Sequence, residues 1–292
     1  MSAPRWDREA HHWPNSAASR FVTAAGLRWH VQMAGAGPVL LLLHGTGASA
    51  HSWRDLFGPL ASQFTVIAPD LPGHGFTTGR LSGGPSLPRI AAAVAALLGV
   101  LGVHPVMTVG HSAGAAIAIE MARSSPVPVV GLSPALMPFP GLAAQLFPAM
   151  AKMLFLNPFV PSLFARMARR EGETARFLYR STNSRIDGTG LRCYETLMGS
   201  SDHCAGALAM MANWDLDALK RALPGVEAPV LLAHGTRDSA IPLDTVRAAS
   251  ALLPDCELEL LEGRGHLAHE EQPQRALDLI TAFAARQALT GG

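Results

Sequence analysis

Charge is scarce in this chain. Lys, Arg, Asp and Glu make up 15% of its 292 residues, and 23 basic side chains against 22 acidic ones leave a formal net charge of +1. No global field follows that would draw in nucleic acid or a bilayer, so a charged partner has to be met locally. Cysteine is as sparse: Cys193, Cys204 and Cys256 are odd in number, widely spaced and without a CxxC pair. That excludes a disulfide framework and a zinc ribbon and points to a reducing compartment. The opening stretch MSAPRWDREAHHWPNS mixes charges without an apolar run of signal-peptide length, so a cytoplasmic protein is expected. HExxH, GxGxxG and Walker A patterns are all missing. Neither a catalytic zinc nor a nucleotide cofactor is indicated, and the chain is expected to work without metal or cofactor.

Two long stretches lack every charged residue, Ile90 to Ile119 and Ser124 to Ala151. Neither reads as a membrane span. In the first, Gly99, Gly102, Pro105 and Gly110 divide a helix, a strand and the start of another helix; in the second, prolines recur from Pro126 to Pro148 and rule out a regular helix.

What the chain does have is a series of strand-like runs with helical lengths between them: LRWHVQMAG, PVLLLLHG, FTVIAPD, PVMTVG, VVGLSP, APVLLAHG and CELELLEG. Continuous apolar strands such as VLLLL suit a sheet covered on both faces, and the intervening helices suit right-handed crossovers. The expected fold class is α/β, a doubly wound and mostly parallel sheet. No fixed-period repeat is visible. The alternation fails between about Pro138 and Pro224, so we expect residues 1–137 and 224–292 to form the core and 138–223 an inserted helical lid. Seven of eleven Met (137, 150, 153, 167, 198, 210, 211) and six of eleven Phe (139, 147, 155, 159, 164, 177) fall between Ser133 and Leu223. Met and Phe make soft apolar surfaces, and the functional reading is a pocket roof for a large hydrophobic ligand. Ordinary helical core is the competing reading for each of them.

Chemistry enters at GHSAG, a G-x-S-x-G pattern between a strand and the helix former AAIAIEMA, the setting of a nucleophile elbow. The sharp turn strains the serine backbone, and the flanking glycines let neighbouring chains approach closely. A serine hydroxyl is a weak nucleophile near neutral pH, so it needs a base and an acid that orients the base. LLAHGTRDSAIP puts Asp238 in the loop after one strand, and LLEGRGHLAHEEQP puts His266 after the last. The candidate triad is therefore Ser112, Asp238 and His266, in the chain order of α/β-hydrolases. For an oxyanion hole, His44-Gly45-Thr46-Gly47 ends an earlier strand, and the backbone N–H groups of Thr46 and Ala113 are the expected pair. His44, Asp70, His74 and His269 read as braces, and Cys204 has no activating signature. Arg166, Arg169, Arg170, Arg176, Arg180, Arg185 and Arg192 face only Glu171, Glu173 and Asp187 in their window. A solvated lid face is the preferred reading; carboxylates, a partner protein or an anionic lipid surface are the alternatives.

With these motifs the whole chain resembles the α/β-hydrolase superfamily. The segments GLRWHVQMAGAGPVLLLLHGTGASAHSWRDL, APDLPGHGFT, GHSAGAA, ALAMMANWDLDAL and GHLAHEEQP are together similar to the BchO-type magnesium chelatase accessory proteins of bacteriochlorophyll synthesis. The resemblance implies a role in photosynthesis linked to magnesium insertion into protoporphyrin IX, and it carries the hydrolase residues onto Ser112, Asp238 and His266. A Met and Phe roof with arginines nearby suits a tetrapyrrole; the resemblance further implies transient contact with chelatase subunits and a place in the cytoplasm peripheral to the photosynthetic membrane. Three functions stay open: a serine hydrolase acting on an ester or related acyl group, a non-catalytic porphyrin- or chelatase-binding accessory protein, and a general esterase or C–C bond hydrolase. Epoxide and haloalkane hydrolysis is set aside, because its elbow residue is a carboxylate and here it is Ser112.

Overall fold

In the computed structural model, residues 3–138, 157 and 159–289 are described. Their strands are β1 (Ser19–Ala24), β2 (Leu27–Ala34), β3 (Val39–Leu43), β4 (Thr65–Pro69), β5 (Thr78–Gly79), β6 (Pro105–His111), β7 (Val129–Leu132), β8 (Val230–Gly235) and β9 (Cys256–Leu261). They form one sheet in the order β1-β2-β4-β3-β6-β7-β8-β9, with β5 on β2. From β4 to β9 every pairing is parallel; β2 runs antiparallel to its neighbours. All seven strand-like runs of the sequence are strands of this sheet.

Helices cover both faces, as expected of a doubly wound sheet. The described helices used below are α1 (Trp6–Glu9), α2 (Arg54–Ala61), α3 (Leu87–Leu101), α4 (Ala113–Ala122), α5 (Val160–Ala168), α6 (Glu173–Thr182), α7 (Gly188–Met198), α8 (Ser201–Ala212), α9 (Leu216–Ala222), α10 (Leu243–Leu252), α11 (Ala268–Glu271) and α12 (Pro273–Arg286). The run VLLLL shows why β3 needs cover on two sides: Leu41 and Leu43 pack with α3, α4 and α10, while Leu40 and Leu42 pack with α2 and α12. Side chains alternate along a strand, so an unbroken apolar run has two faces to bury. Strand β1 was not among the expected runs. It pairs with β2 through a two-residue turn in which both Ala25 (φ 50°) and Gly26 (φ 74°) are left-handed. That turn chemistry usually advertises itself with Asn or Asp before Gly, and here the first position is alanine.

Helices α5 to α9 lie between β7 and β8 in the chain. Of the Met and Phe residues read as a roof, Phe139, Phe147, Met150, Met153 and Phe155 lie outside the described residues. Met210 is buried against the core, whereas Phe159, Phe164, Met167 and Phe177 turn outward into solvent. The roof reading therefore does not apply to those four.

Candidate active site

Ser112 stands at the junction of β6 and α4 with φ 52° and ψ −114°, a strained backbone for any residue but glycine. The two motif glycines are required by contact. A Cβ on Gly114 would lie 2.0 Å from the Leu43 carbonyl oxygen, and one on Gly110 would lie 2.4 Å from the Gly114 backbone. Strands β3 and β6 and the start of α4 thus meet with no room for side chains, which leaves the elbow a single path. The carbonyl of Ser112 accepts from Ala115 and Ala135 N–H at 3.1 and 3.2 Å.

Asp238 and His266 follow β8 and β9, so all three candidate residues sit beyond the carboxyl ends of parallel strands, where open α/β sheets bind ligands. The Nδ1–H of His266 donates to Asp238 Oδ2 at 2.7 Å. The other carboxylate oxygen accepts from the backbone N–H groups of Ala240 (2.7 Å) and Ile241 (2.9 Å). Burial works against ionisation of Asp238, but the His266 hydrogen bond and charge outweigh it and hold the carboxyl below its ordinary range. With Nδ1 committed to the acid, Nε2 of His266 keeps its lone pair. Among the described residues neither that nitrogen nor the Ser112 hydroxyl has a hydrogen-bond partner. Catalytic contacts of this kind are commonly long before substrate is bound.

The expected oxyanion donors are free in the same sense. Neither the Thr46 nor the Ala113 backbone N–H donates to another group among the described residues. His44 does brace its loop: Leu71 N–H donates to Nε2 at 2.8 Å, which leaves the Nδ1 proton for the Gly45 carbonyl at 2.8 Å. Asp70 is scaffold. It accepts from Ala50 N–H, Phe76 N–H and His30 Nδ1, each at 2.8 Å, and although burial opposes its charge these partners pull its pKa down to about 2. His111 donates from Nε2 to the His266 carbonyl at 3.0 Å, and burial with the nearby His266 pushes its pKa down to about 3, so it is neutral beside the elbow. His269 packs against Trp53 and His111 at ring distances of 5.0 and 4.4 Å. Burial raises the Cys204 thiol to about 11, and its proton is donated to the Met198 carbonyl, which fits an inert thiol.

Further contacts that the sequence did not foretell tie the helices between β7 and β8 to these loops. On α8, His203 accepts from Gly75 N–H at 3.1 Å through Nδ1 and donates from Nε2 to the Gly47 carbonyl at 3.0 Å. Helix α8 can come this close because Gly206 meets Gly73 backbone to backbone, where a Cβ would lie 1.8 Å from the Gly73 carbonyl oxygen. The Thr46 hydroxyl donates to Met210 Sδ at 3.4 Å. The strap between α6 and α7 clamps the loops of His266 and Asp238: His266 N–H donates to the Thr182 carbonyl (2.8 Å), Leu267 N–H to Ser184 Oγ (2.9 Å), and Asn183 Nδ2 to the Arg237 carbonyl (2.9 Å). Arg54, on α2, bridges Glu270 beside His266 and Asp187 at the start of α7, while Tyr194 Oη donates to Glu270 at 2.8 Å. Burial pushes the Glu270 carboxyl up against the pull of Arg54 and Tyr194. None of these contacts has a local signature, since each joins residues dozens to hundreds of positions apart.

No group of three or more His, Cys, Asp or Glu that could hold a metal occurs among the described residues. No helix among them is long and apolar enough to cross a membrane.

Comparison with known proteins agrees with this architecture. Residues 40–279 match the model of the alpha/beta hydrolase family. The chain is 39% identical over 262 residues to the magnesium-chelatase 30 kDa subunit of Rhodobacter capsulatus, covering 89% of this chain and 92% of that protein. It is 30% identical over 265 residues to a pimeloyl-(acyl-carrier protein) methyl ester esterase of Xanthomonas oryzae pv. oryzae, covering 87% and 98%. Among solved structures, the epoxide hydrolase CorEH superposes with a TM-score of 0.78 at 24% identity over 92% of this chain and 99% of that one. The naproxen esterase of Bacillus subtilis superposes with a TM-score of 0.70 at 19% identity over 95% of each. At these identities the two structures speak for the fold alone. This chain belongs to the α/β-hydrolase family, and within it to the group of the magnesium-chelatase 30 kDa subunit, the BchO-type proteins.

Proposed function

We propose that this protein is a serine hydrolase of bacteriochlorophyll biosynthesis, acting on an ester or related acyl group in association with magnesium insertion into protoporphyrin IX. The observation that carries the reading is the 2.7 Å pairing of Asp238 with His266 beside a strained serine elbow. In this reading Ser112 Oγ attacks the acyl carbon while His266 Nε2 takes its proton. Asp238 holds the imidazole in the right tautomer and stabilises its charged form. The N–H groups of Thr46 and Ala113 donate to the developing oxyanion. Collapse returns the proton from His266 to the departing alcohol, and water then releases the acid from Ser112 by the same steps.

Segment 138–223 acts as the cap, over a core of residues 1–137 and 224–292. The substrate it admits is a large apolar molecule with carboxylate or ester groups, a tetrapyrrole being the class that the kinship to a chelatase subunit favours. Contact with chelatase subunits is transient. The proposed location is the cytoplasm, at the surface of the photosynthetic membrane.

A fluorophosphonate probe tests the chemistry. Labelling of the folded protein that disappears in Ser112→Ala is expected; an unlabelled protein, or equal labelling of the variant, sinks it. A second reading, a non-catalytic accessory that binds porphyrin or chelatase, is favoured by one observation: the Ser112 hydroxyl has no partner among the described residues. Complementing a deletion strain with Ser112→Ala separates the two, since full pigment supports binding and loss of pigment with a folded protein supports catalysis. Titration with protoporphyrin IX, its magnesium form and its methyl ester then ranks the ligands.

A further inference from the structure

Helix α5 is amphipathic in an inverted sense. Its narrow inner edge, Pro161 and Ala165, is buried, while Phe159 (78% exposed), Leu163 (58%), Phe164 (41%) and Met167 (46%) stand in solvent. Phe159, Leu163 and Met167 are spaced four apart, so they form one stripe on the side away from the buried edge. Neighbouring α6 adds exposed Phe177 and Tyr179. Six of the seven large apolar side chains most exposed among the described residues therefore come from 21 consecutive positions. Single exposed apolar residues are ordinary on a soluble surface, but a contiguous group of this kind marks a contact.

Charge says what the contact is with. Between Arg166 and Arg192 seven arginines meet three acids, so this stretch carries +4 and the remaining chain −3. Of those acids Glu173 is paired with Arg176 and Asp187 with the buried Arg54. Arg166 on α5 and Arg170, two residues past its end, lie four apart and flank the apolar stripe; with Arg180 on α6 their guanidinium groups have no ion pair or hydrogen bond among the described residues. A protein-binding hot spot seats its aromatic residues in pockets framed by complementary polar groups. Here the rings project outward with arginines at their flank, the arrangement of helices that lie in an interface with apolar side chains among the acyl chains and cations at the headgroups.

We infer that α5, with the adjoining face of α6, docks this protein on an anionic bilayer surface, Phe159, Leu163 and Met167 entering the interface and Arg166 and Arg170 meeting lipid phosphates. The inference deepens the proposed location, resting on it only for the choice of membrane, and needs nothing from the chemistry at Ser112. It replaces the solvated lid face preferred from the sequence.

Cosedimentation of the full chain with vesicles of neutral phosphatidylcholine, with and without 30% phosphatidylglycerol, tests it, with fluorophosphonate labelling of Ser112 read on the same samples. Binding to the anionic vesicles is expected, weakened severalfold by added salt because lipid charge is screened. Phe159→Ser with Leu163→Ser should reduce it at least tenfold, and Arg166→Gln with Arg170→Gln by about twentyfold on anionic vesicles but hardly at all on neutral ones. All four residues are exposed, so unchanged thermal unfolding of the variants is expected and checks that the loss is at the surface. Failure to bind either vesicle, or binding that ignores both pairs of substitutions, overturns the proposal. So does a stable dimer in light scattering that the Phe159→Ser pair dissociates, which would assign the stripe to a second copy. Lost labelling with intact vesicle binding would count against the hydrolase reading alone.

Discussion

The helices between β7 and β8 divide into two regions made of the same kinds of residue and put to opposite uses. Helices α7 and α8 with the preceding strap are anchored by buried polar contacts: Arg54 to Glu270 and Asp187, His203 to Gly47 and Gly75, Thr182 and Ser184 to the His266 loop. Helix α5 turns Leu163, Phe164 and Met167 to solvent, and α6 turns Phe177 and Tyr179 outward while Leu178 stays buried. The contrast teaches that the described helices between β7 and β8 are not one uniform layer. Among the described residues, α7 and α8 with the strap set the loops that carry Thr46 and His266, while α5 and the exposed side of α6 form a surface.

The sharpest way to test that division starts at the centre. Ser112→Ala should lower hydrolysis of an activated ester by at least about 10⁴-fold, read as initial rate, while leaving urea unfolding unchanged; a variant with residual activity near wild type would remove the reason for the anchored half to be built so closely. Next, Glu270→Ala leaves the buried Arg54 guanidinium with Asp187 and Asp55 alone and the Tyr194 hydroxyl without its acceptor, and should destabilise the chain by about 2–3 kcal/mol in urea unfolding. A change below about 1 kcal/mol would mean that this cluster does not hold α7 to the core.

Acid should strike the anchored half through His203 and the serine elbow through His111. Burial holds His111 down to about 3 and His203 down to about 4, against about 6.5 when unfolded, so the unfolded chain takes up protons first as the pH falls. Their contribution is intact above about pH 6.5 and drains away toward pH 4. At pH 5.5 the two together should cost about 3 kcal/mol, and a stability that stays flat from pH 7 to 5 would contradict the buried neutral pair. His203→Ala leaves the Gly47 carbonyl and the Gly75 N–H without their partner and should cost about 1–3 kcal/mol. Its distinguishing effect is on turnover: kcat should fall with KM little changed, because His203 positions the loop that carries Thr46 rather than touching substrate. Recovery of part of that kcat in His203→Gln would support the positioning role. In the exposed half, Phe177→Ser should change stability by no more than about 0.5 kcal/mol in thermal unfolding. A large loss there would erase the contrast.

Much of the core was legible because its signals are local. An unbroken run such as VLLLL needs two covered faces wherever it lies, and G-x-S-x-G between a strand and a helix former states a turn that Gly110 and Gly114 alone can make at these distances. The positions of Asp238 and His266 were readable for the same reason, each following a strand in a glycine-containing loop. Strand β1 was missed because its turn, Ala25-Gly26, carries half of the usual chemistry.

By itself, then, the sequence determined the α/β sheet, the chain order of Ser112, Asp238 and His266, and the enrichment of Met, Phe and Arg between β7 and β8. Only the tertiary structure decided which way those side chains turn, and that Arg54 would meet a carboxylate 216 positions away. An alternation of apolar and polar residues tells which face of an element is covered when the cover is the core. It carries no record of which distant loop supplies a polar partner, because hydrogen bonds and ion pairs are formed across space between residues whose separation along the chain is arbitrary.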